Sequence, residues 1–382
     1  MNNSKKLTFA LVAVYLFPWG LQFLINNFMP IYVASLPFAT EKTVGGIISV
    51  GAGTVMLSQL IWANIADHSK DKSKVLAASF ILVLISSVLF LTVKMSIFML
   101  YLLSFVLYLS FMAHQLLVDT ITAENYQKTN KSFAYFRAFA TLGYAVIGII
   151  FAFVTPKEEN GFFIYVIIIC LISFVTSLLI NTSNVNYKKD NKIKVKFINK
   201  SFILFLVYTC ILFICGSMIS TFFPVYYSSD KGLGGSVGTF SLLVTIGSFI
   251  EWGVLLLFSK IGEKVSFKMV FTILAIAGVI RSGIIYFVRD DILVSSTFLF
   301  YGIWFGILWS MATPYIKSIV PMESLTKAEG IWTVTASGFS TMIGSFLGGQ
   351  IADALGLRSV FAVATIMMVV LSLLSPIIIK DS

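Results

Sequence analysis

The chain has 382 residues, 58% of them hydrophobic and 12% charged, with a mean hydropathy of +0.94. That excludes an ordinary soluble domain, because apolar runs of about 20 residues are what a helix needs to cross a bilayer. A net charge of +10 would point to nucleic acid in a soluble protein. Here the basic residues fall in short loops between apolar runs, which is the pattern of a membrane protein that keeps its positive loops inside. Cys170, Cys210 and Cys215 all lie within apolar runs, with no disulfide or metal-ligand spacing. No nucleophile–base constellation stands out, and two histidines leave little for an enzyme to work with.

Twelve apolar runs are predicted, over 7–36, 44–66, 75–94, 97–123, 132–154, 162–181, 202–227, 237–258, 268–288, 292–318, 329–352 and 359–379. The first begins after Lys5-Lys6 and resembles a signal peptide. It continues through Trp19, Asn26 and Asn27, too long for such a segment, and reads as an uncleaved helix. With both termini in the cytoplasm, the inner side receives Lys5, Lys6, Lys70, Lys72, Lys74, Lys128, Lys131, the six lysines from Lys188 to Lys200, Lys260, Lys264, Lys268, Lys317, Lys327 and Lys380. The outer side receives Lys42, Lys94, Lys157, Lys231, Arg289 and Arg358. Nineteen against six sets the orientation. The loops at Asp67–Lys74 and Asn181–Ser201 are thus expected in the cytoplasm, and Thr155–Gly161 outside.

The second run ends in Ala63-Asn64-Ile65-Ala66-Asp67-His68-Ser69-Lys70-Asp71-Lys72-Ser73-Lys74. Asp67 is placed to accept hydrogen bonds from a neighbouring helix terminus, while Lys70 and Lys74 face anionic headgroups. The glycines of Gly51-Ala52-Gly53 read as a packing face rather than a nucleotide loop, since no strand precedes them.

The fourth and fifth runs carry the most informative residues. Asp119 lies about nine residues before the middle of the polar break at Glu124–Lys131, and Arg137 about nine after it. Two antiparallel helices hinged there hold both charges at one depth, ~10 Å inside their cytoplasmic ends at ~1.5 Å per residue. Each charge costs about 2.5–3.5 kcal/mol by insertion scales, which makes an intramembrane charge a functional candidate. Gln115 is one turn from Asp119 and Tyr144 two turns from Arg137, so each shares a face with its charge. A structural ion pair between neighbouring helices is the alternative, but apolar packing usually serves stability as well. Asn26 and Asn27 are expected to line a cavity or to bond between helices, and His114 is either a satisfied buried histidine or a titrating group.

Asn181–Ser201 is the longest polar stretch, dense in Asn and Lys, and reads as a cytoplasmic linker. The organisation expected is a bundle over 1–181, a linker over 182–200 and a second bundle over 201–382. Asn26-Asn27-Phe28-Met29-Pro30-Ile31-Tyr32 matches Ser220-Thr221-Phe222-Phe223-Pro224-Val225-Tyr226 at an offset of 194, and that offset also lays Lys70 on Lys264 and Lys74 on Lys268. Lys131, Ala140, Thr141, Ile147 and Gly148 match Lys327, Ala336, Ser337, Ile343 and Gly344 at an offset of 196. Parallel repeats of six helices are how a major-facilitator transporter is built.

In the second half Glu251 is the only acid placed well inside the helices and Arg281 the only base. Glu251 lies roughly two turns, and Arg281 roughly four, from the cytoplasmic ends of adjacent helices. They form either a static pair or one that closes in one conformation and opens in another. A carboxyl that exchanges partners with conformation can carry a proton across.

The loop ending at Lys74 resembles the signature loop of the major facilitator superfamily, with Ala63 in place of the usual glycine and one extra residue after Asp67. Phe28-Met29-Pro30-Ile31-Tyr32, Gly46-Ile47-Ile48, Gln59, Asp67, the Asp119/Arg137 pair, Gly143-Tyr144, Glu251, Arg281, the glycines Gly344, Gly348 and Gly349, and Asp353-Ala354-Leu355-Gly356 resemble the branch containing lactose permease and the nucleoside–proton symporters. That resemblance implies that Asp119 and Arg137 bind sugar hydroxyls and that Tyr144 stacks on the ring. Lactose permease carries a His and a Glu on its tenth helix where this chain has Tyr301-Gly302-Ile303-Trp304. Glu251 also sits about two turns from that permease's eighth-helix acid, so lactose itself is not the expected solute.

The sequence therefore predicts an all-α membrane protein of twelve transmembrane helices in two six-helix bundles related as parallel repeats, the major-facilitator fold. It is read as a secondary transporter, not an enzyme: a proton-coupled symporter of a small polar solute such as a sugar or nucleoside, monomeric, in the plasma membrane. The substrate residues are Asp119, Arg137, Tyr144, Gln115, Asn26 and Asn27. Glu251, Arg281 and His114 are the proton-coupling set, and Asp67, Lys70 and Lys74 the conformational-switch loop. The expected partners are a small-molecule solute and the lipid bilayer, with no metal, no nucleic acid and no cofactor beyond the coupling proton. Efflux of amphipathic compounds, and a non-transporting sensor or scaffold, are the alternatives. The absence of long polar domains disfavours the scaffold, and the charged pair favours a hydroxyl-rich ligand over a greasy one.

Overall fold

Within lipid each backbone N–H and C=O has to be bonded inside its own segment, so long apolar runs of this kind close into helices. The computed structural model describes residues 3–156, 158–180, 198–230, 232–261 and 265–379; most of the predicted linker lies outside them. The first helices are α1 (Asn3–Ser35), α2 (Glu41–His68), α3 (Lys72–Thr92), α4 (Ile97–Phe111), α5 (Ala113–Asn125), α6 (Phe133–Phe153) and α7 (Phe162–Leu178). After them come α8 (Lys200–Ser228), α9 (Val237–Ile261), α10 (Phe267–Phe287), α11 (Asp291–Ser296), α12 (Phe298–Ile319), α13 (Leu325–Trp332), α14 (Ser340–Leu355) and α15 (Leu357–Ile378). Counting α4 with α5 and α11 with α12, eleven spans among the described residues are long and apolar enough to cross a membrane.

The eleventh predicted run, 329–352, is interrupted. Between α13 and α14 the chain makes a π-helical stretch, Thr333–Phe339, where the Ser340 N–H reaches back to the Thr335 carbonyl and the Ser340 hydroxyl donates to the same oxygen at 2.9 Å. The fourth run also differs from the uniform helix predicted over 97–123, breaking at Met112. The cause lies on another helix. Ser58 Oγ and Trp62 Nε1 of α2 both donate to the Leu109 carbonyl, at 2.8 and 2.9 Å, and so compete for an oxygen of the helical ladder. Side chains inserted there produce a kink.

The chain divides into two compact units. The first comprises Met1–Ala39 and Gly53–Asp190, the second Thr40–Ala52 and Asn191–Ser382. In the first, α1 packs against α6 and α7, and α3 against α7 and α4. In the second, α8 packs on α14 and α15, α12 on α9, and α10 on both α15 and α12. The opening turns of α2 belong to the second unit: Ser49 Oγ donates to the Met342 carbonyl at 2.8 Å, and Lys42 pairs with Asp353 at 2.9 Å.

Small residues set the closest approaches, as van der Waals packing between membrane helices requires. A Cβ on Gly143 of α6 would stand 1.9 Å from the Leu16 carbonyl oxygen of α1, and a backbone carbonyl cannot swing aside. Gly143→Ala is therefore expected to lower the melting temperature of the purified protein clearly, in line with the ~1–3 kcal/mol typical of overpacking. Gly253→Ala is the control, because nothing lies within 4 Å of its added methyl. Equal melting of the two variants would refute tight α1–α6 contact at Gly143.

Candidate functional site

The Gly143–Leu16 approach lies one residue from Tyr15 on α1 and one from Tyr144 on α6, so the backbone contact that joins the helices also positions both phenols. Around it the first unit gathers its polar side chains. Asp119 of α5 uses its two oxygens separately: Oδ1 accepts from the Tyr15 hydroxyl at 2.6 Å, and Oδ2 accepts from Nη1 of Arg137 on α6. Tyr15 is fully buried, whereas the Asp119 and Arg137 side chains are 33% and 53% exposed. The pair is thus buttressed from behind and open in front.

A second group stands along the same helices. Asn27 Nδ2 donates to the Tyr144 hydroxyl at 2.9 Å and to the Phe23 carbonyl at 2.8 Å, and the Tyr144 ring meets Phe23 edge to face at 5.0 Å. Gln115 Nε2 donates to Gln22 Oε1 at 3.3 Å. Asn26 is exposed and makes no hydrogen bond among the described residues. Asp119, Arg137, Tyr144, Gln115 and Asn27 are therefore all engaged in polar contacts between α1, α5 and α6.

Tyr15, Trp19 and Gln22 were not predicted. They recur at i, i+4 and i+7, with Asn26 at i+11, which places them on one face of α1. That spacing was the available signal, and it reads equally well as aromatic packing. Trp19 lies 5.2 Å from the Tyr15 ring and meets His114 edge to face at 4.8 Å. His114 is fully buried against Phe111; its Nδ1 is 2.6 Å from the Phe111 carbonyl, and its Nε2 has no partner among the described residues.

In the second unit Glu251 of α9 is partly buried and makes no ion pair or hydrogen bond among the described residues. Arg281 of α10 is buried, its guanidinium 4.7 Å from the Tyr301 ring centre and 5.6 Å from that of Phe298, both on α12. The two charges are not paired with each other in this conformation.

Of the predicted switch-loop residues Lys74 engages, pairing with Asp71, and neighbours take the remaining contacts. Asp67 and Lys70 are exposed, and Asp67 accepts no hydrogen bond among the described residues. The helix terminus is capped by Asp71, which accepts from the Ser73 N–H at 3.1 Å and stands 3.9 Å from Lys74. Lys72 pairs with Glu124 at the end of α5, and Ser73 Oγ donates to the Ile180 carbonyl at 2.6 Å. A side chain at the N-cap reaches the free N–H groups of the first turn, which Asp67, at the end of the preceding helix, does not.

The comparisons agree with this architecture. A family model described as the MFS_1 like family matches residues 8–363. An uncharacterized transporter, YwbF of Bacillus subtilis (strain 168), is 22% identical over 361 residues, covering 92% of this chain and 88% of that protein. Among solved structures, a mutant of the nucleoside transporter NupG superposes with a TM-score of 0.88 at 16% identity, covering 98% of this chain and all of that one. A bacterial homolog of the human lysosomal transporter Spinster, inward-facing and occupied, gives 0.76 at 12% identity over 97% of this chain and 95% of that one. Likeness at these identities concerns the fold.

Proposed function

The chain belongs to the MFS_1-like family and is a multi-pass membrane transporter; from that premise we propose that it carries a small hydroxylated solute by proton-coupled symport. The observation that carries this reading is the Asp119–Arg137 pair with Tyr15 behind it. An ionised carboxylate offers about four acceptor positions and a guanidinium five donors. The pair and Tyr15 use one acceptor position on each oxygen and one donor. What remains is an acceptor beside a donor, which suits neighbouring hydroxyls of a sugar or of a ribose, each hydroxyl both giving and accepting a hydrogen bond. Tyr144, held by Asn27, supplies a ring beside them. NupG is a nucleoside transporter, which adds weight to the ribose-bearing class.

The test is a melting-temperature screen of the purified protein against sugars and nucleosides. A true ligand at 100 times its Kd stabilises the folded state by about 2.7 kcal/mol. The expected result is stabilisation by a polyhydroxy compound that disappears in Arg137→Lys. Stabilisation by greasy cations alone would favour efflux instead.

The protein is proposed to act as a monomer in the plasma membrane with both termini in the cytoplasm. A cysteine at Glu159, which is exposed in the turn before α7, is expected to react with an impermeant thiol reagent added to intact cells. One at Lys70 is expected to react only after the cells are opened. The reverse pattern would invert the topology.

A further inference from the structure

At the end of α10 an open cavity of about 350 Å³ is lined by Tyr286, Phe287 and Arg358, the last being the second residue of α15. Arg358 has a structural task there. Its Nη2 donates to the Tyr286 carbonyl, one of the last-turn oxygens that a helix leaves unbonded. That task uses one of the five donors of a guanidinium. Among the described residues Nη1 makes no hydrogen bond, Nε is enclosed without an acceptor, and no acid lies within ion-pair distance. The acids of neighbouring segments are engaged elsewhere: Asp290 and Asp291 accept from the Leu293 N–H at 2.8 Å and from Ser295 Oγ at 3.3 Å, and Asp353 pairs with Lys42. The end of the α10 dipole attracts the cation but balances only about half a charge.

The same end of α10 closes a face made for hydrocarbon. Met269, Ile273, Ile276, Ile280 and Phe287 are its exposed large apolar residues, at i, i+4, i+7, i+11 and i+18, a single stripe down the helix. Its 21 residues span about 30 Å at ~1.5 Å each, the thickness of a bilayer's hydrocarbon core. Phe287, the last member of the stripe and a wall of the cavity, therefore stands where hydrocarbon gives way to headgroups, and Arg358 lines the cavity at that level.

We propose that this cavity is a phospholipid site, in which the headgroup phosphodiester accepts hydrogen bonds from Nη1 of Arg358 and an acyl chain lies along the α10 stripe below Phe287. A phosphodiester is a monoanion with two free oxygens, so it balances one guanidinium and takes charge-assisted bonds from it. At this depth it is the anion that the bilayer itself supplies. Arginine reaches that level by running its methylenes along apolar surface, and aromatic rings such as those of Tyr286 and Phe287 favour it. On the topology proposed above, the leaflet is the outer one. The site uses none of the residues assigned to the solute, so it stands or falls apart from that reading.

The experiment is native mass spectrometry of the purified, delipidated full-length protein in detergent. It is titrated with dioleoylphosphatidylglycerol, with dioleoylglycerol, which has the same chains and no phosphate, and with inorganic phosphate and glycerophosphoglycerol, which have no chains. The concentration at which half the protein carries one added molecule is read for wild type, Arg358→Gln, Arg358→Lys, Phe287→Glu and Lys94→Gln. Phe287→Glu leaves Arg358 and its bond to Tyr286 in place and sets a carboxylate in the cavity wall, so a loss there is not the loss of a helix cap. Lys94→Gln removes an exposed cation of the other unit. The phospholipid is expected to bind wild type at a concentration ten-fold or more below that needed of dioleoylglycerol. That advantage is expected to vanish in Arg358→Gln and Phe287→Glu, to survive in part in Arg358→Lys and to be unchanged in Lys94→Gln. The proposal is overturned if dioleoylglycerol binds as well, if the advantage survives in Arg358→Gln or Phe287→Glu, or if Lys94→Gln loses as much as Arg358→Gln. It is equally overturned if inorganic phosphate or glycerophosphoglycerol binds as tightly as the lipid, which would make the cavity a site for soluble anions.

Discussion

Arg137→Lys is expected to weaken solute binding by about two orders of magnitude while the protein still inserts, folds and elutes as wild type. Breaking a hydrogen-bonded charge pair by altering one partner typically costs 2–5 kcal/mol, and about 1.4 kcal/mol is a factor of ten in affinity. The pair is half-open, so the lower part of that range applies. Lysine keeps the charge beside Asp119 but cannot hold the carboxylate with one nitrogen while presenting others, in plane, to a ligand. Asp119→Asn is expected to do as much harm by the opposite route, leaving Arg137 without its counter-charge. Tyr15→Phe ranks the effects. Tyr15 is fully buried and reaches the solute only through Asp119, so its loss removes one hydrogen bond to a charged group and is expected to cost about ten-fold. Equilibrium binding of the best compound from the screen measures all three. Wild-type affinity in Arg137→Lys would reduce the pair to a strut between α5 and α6.

Much of this arrangement was legible in the sequence because membranes make charge expensive. Asp119 and Arg137 stand out against apolar runs, and equal distances from one polar break placed them at one depth; they meet as that geometry implied. Apolar run lengths likewise marked the spans, since hydropathy reports the one property the bilayer selects. What escaped notice depends on partners remote in sequence. The break at Met112 arises from Ser58 and Trp62 on α2, and no property of 97–123 announces it. Tyr15 reads as one more aromatic in an apolar helix until a carboxylate is found 104 positions away. The π-helical turn before Ser340 rests on i→i+5 bonding, which leaves no periodicity to see in a stretch of seven residues. In the loop after α2 the charges that engage are Asp71, Lys72 and Lys74, with Glu124 of α5 as the partner of Lys72, because capping and pairing are decided by a few ångströms of placement that a run of alternating charges conceals.

Glu251→Gln is expected to abolish accumulation of solute against a gradient while sparing exchange of labelled for unlabelled solute across the membrane. Exchange requires the loaded carrier to change conformation and return; accumulation requires in addition that a proton be bound on one side and released on the other. Glutamine resembles the protonated carboxyl in shape and charge but cannot release its proton, so it supports the first process and not the second. Glu251 stands without an ion pair or hydrogen bond among the described residues. Arg281 is likewise unpaired, and α12 packs against the helices that carry both. Two opposite charges kept inside the membrane but apart suit a carboxyl that exchanges Arg281 for a proton as its partner when the conformation changes. A static strut would hold them together. Reconstituted vesicles with an imposed proton gradient separate the two processes. If Glu251→Gln still concentrates solute under that gradient, the coupling site lies elsewhere. Asp119 then becomes the first candidate, ahead of His114, whose ring is fully buried against Phe111 and Trp19.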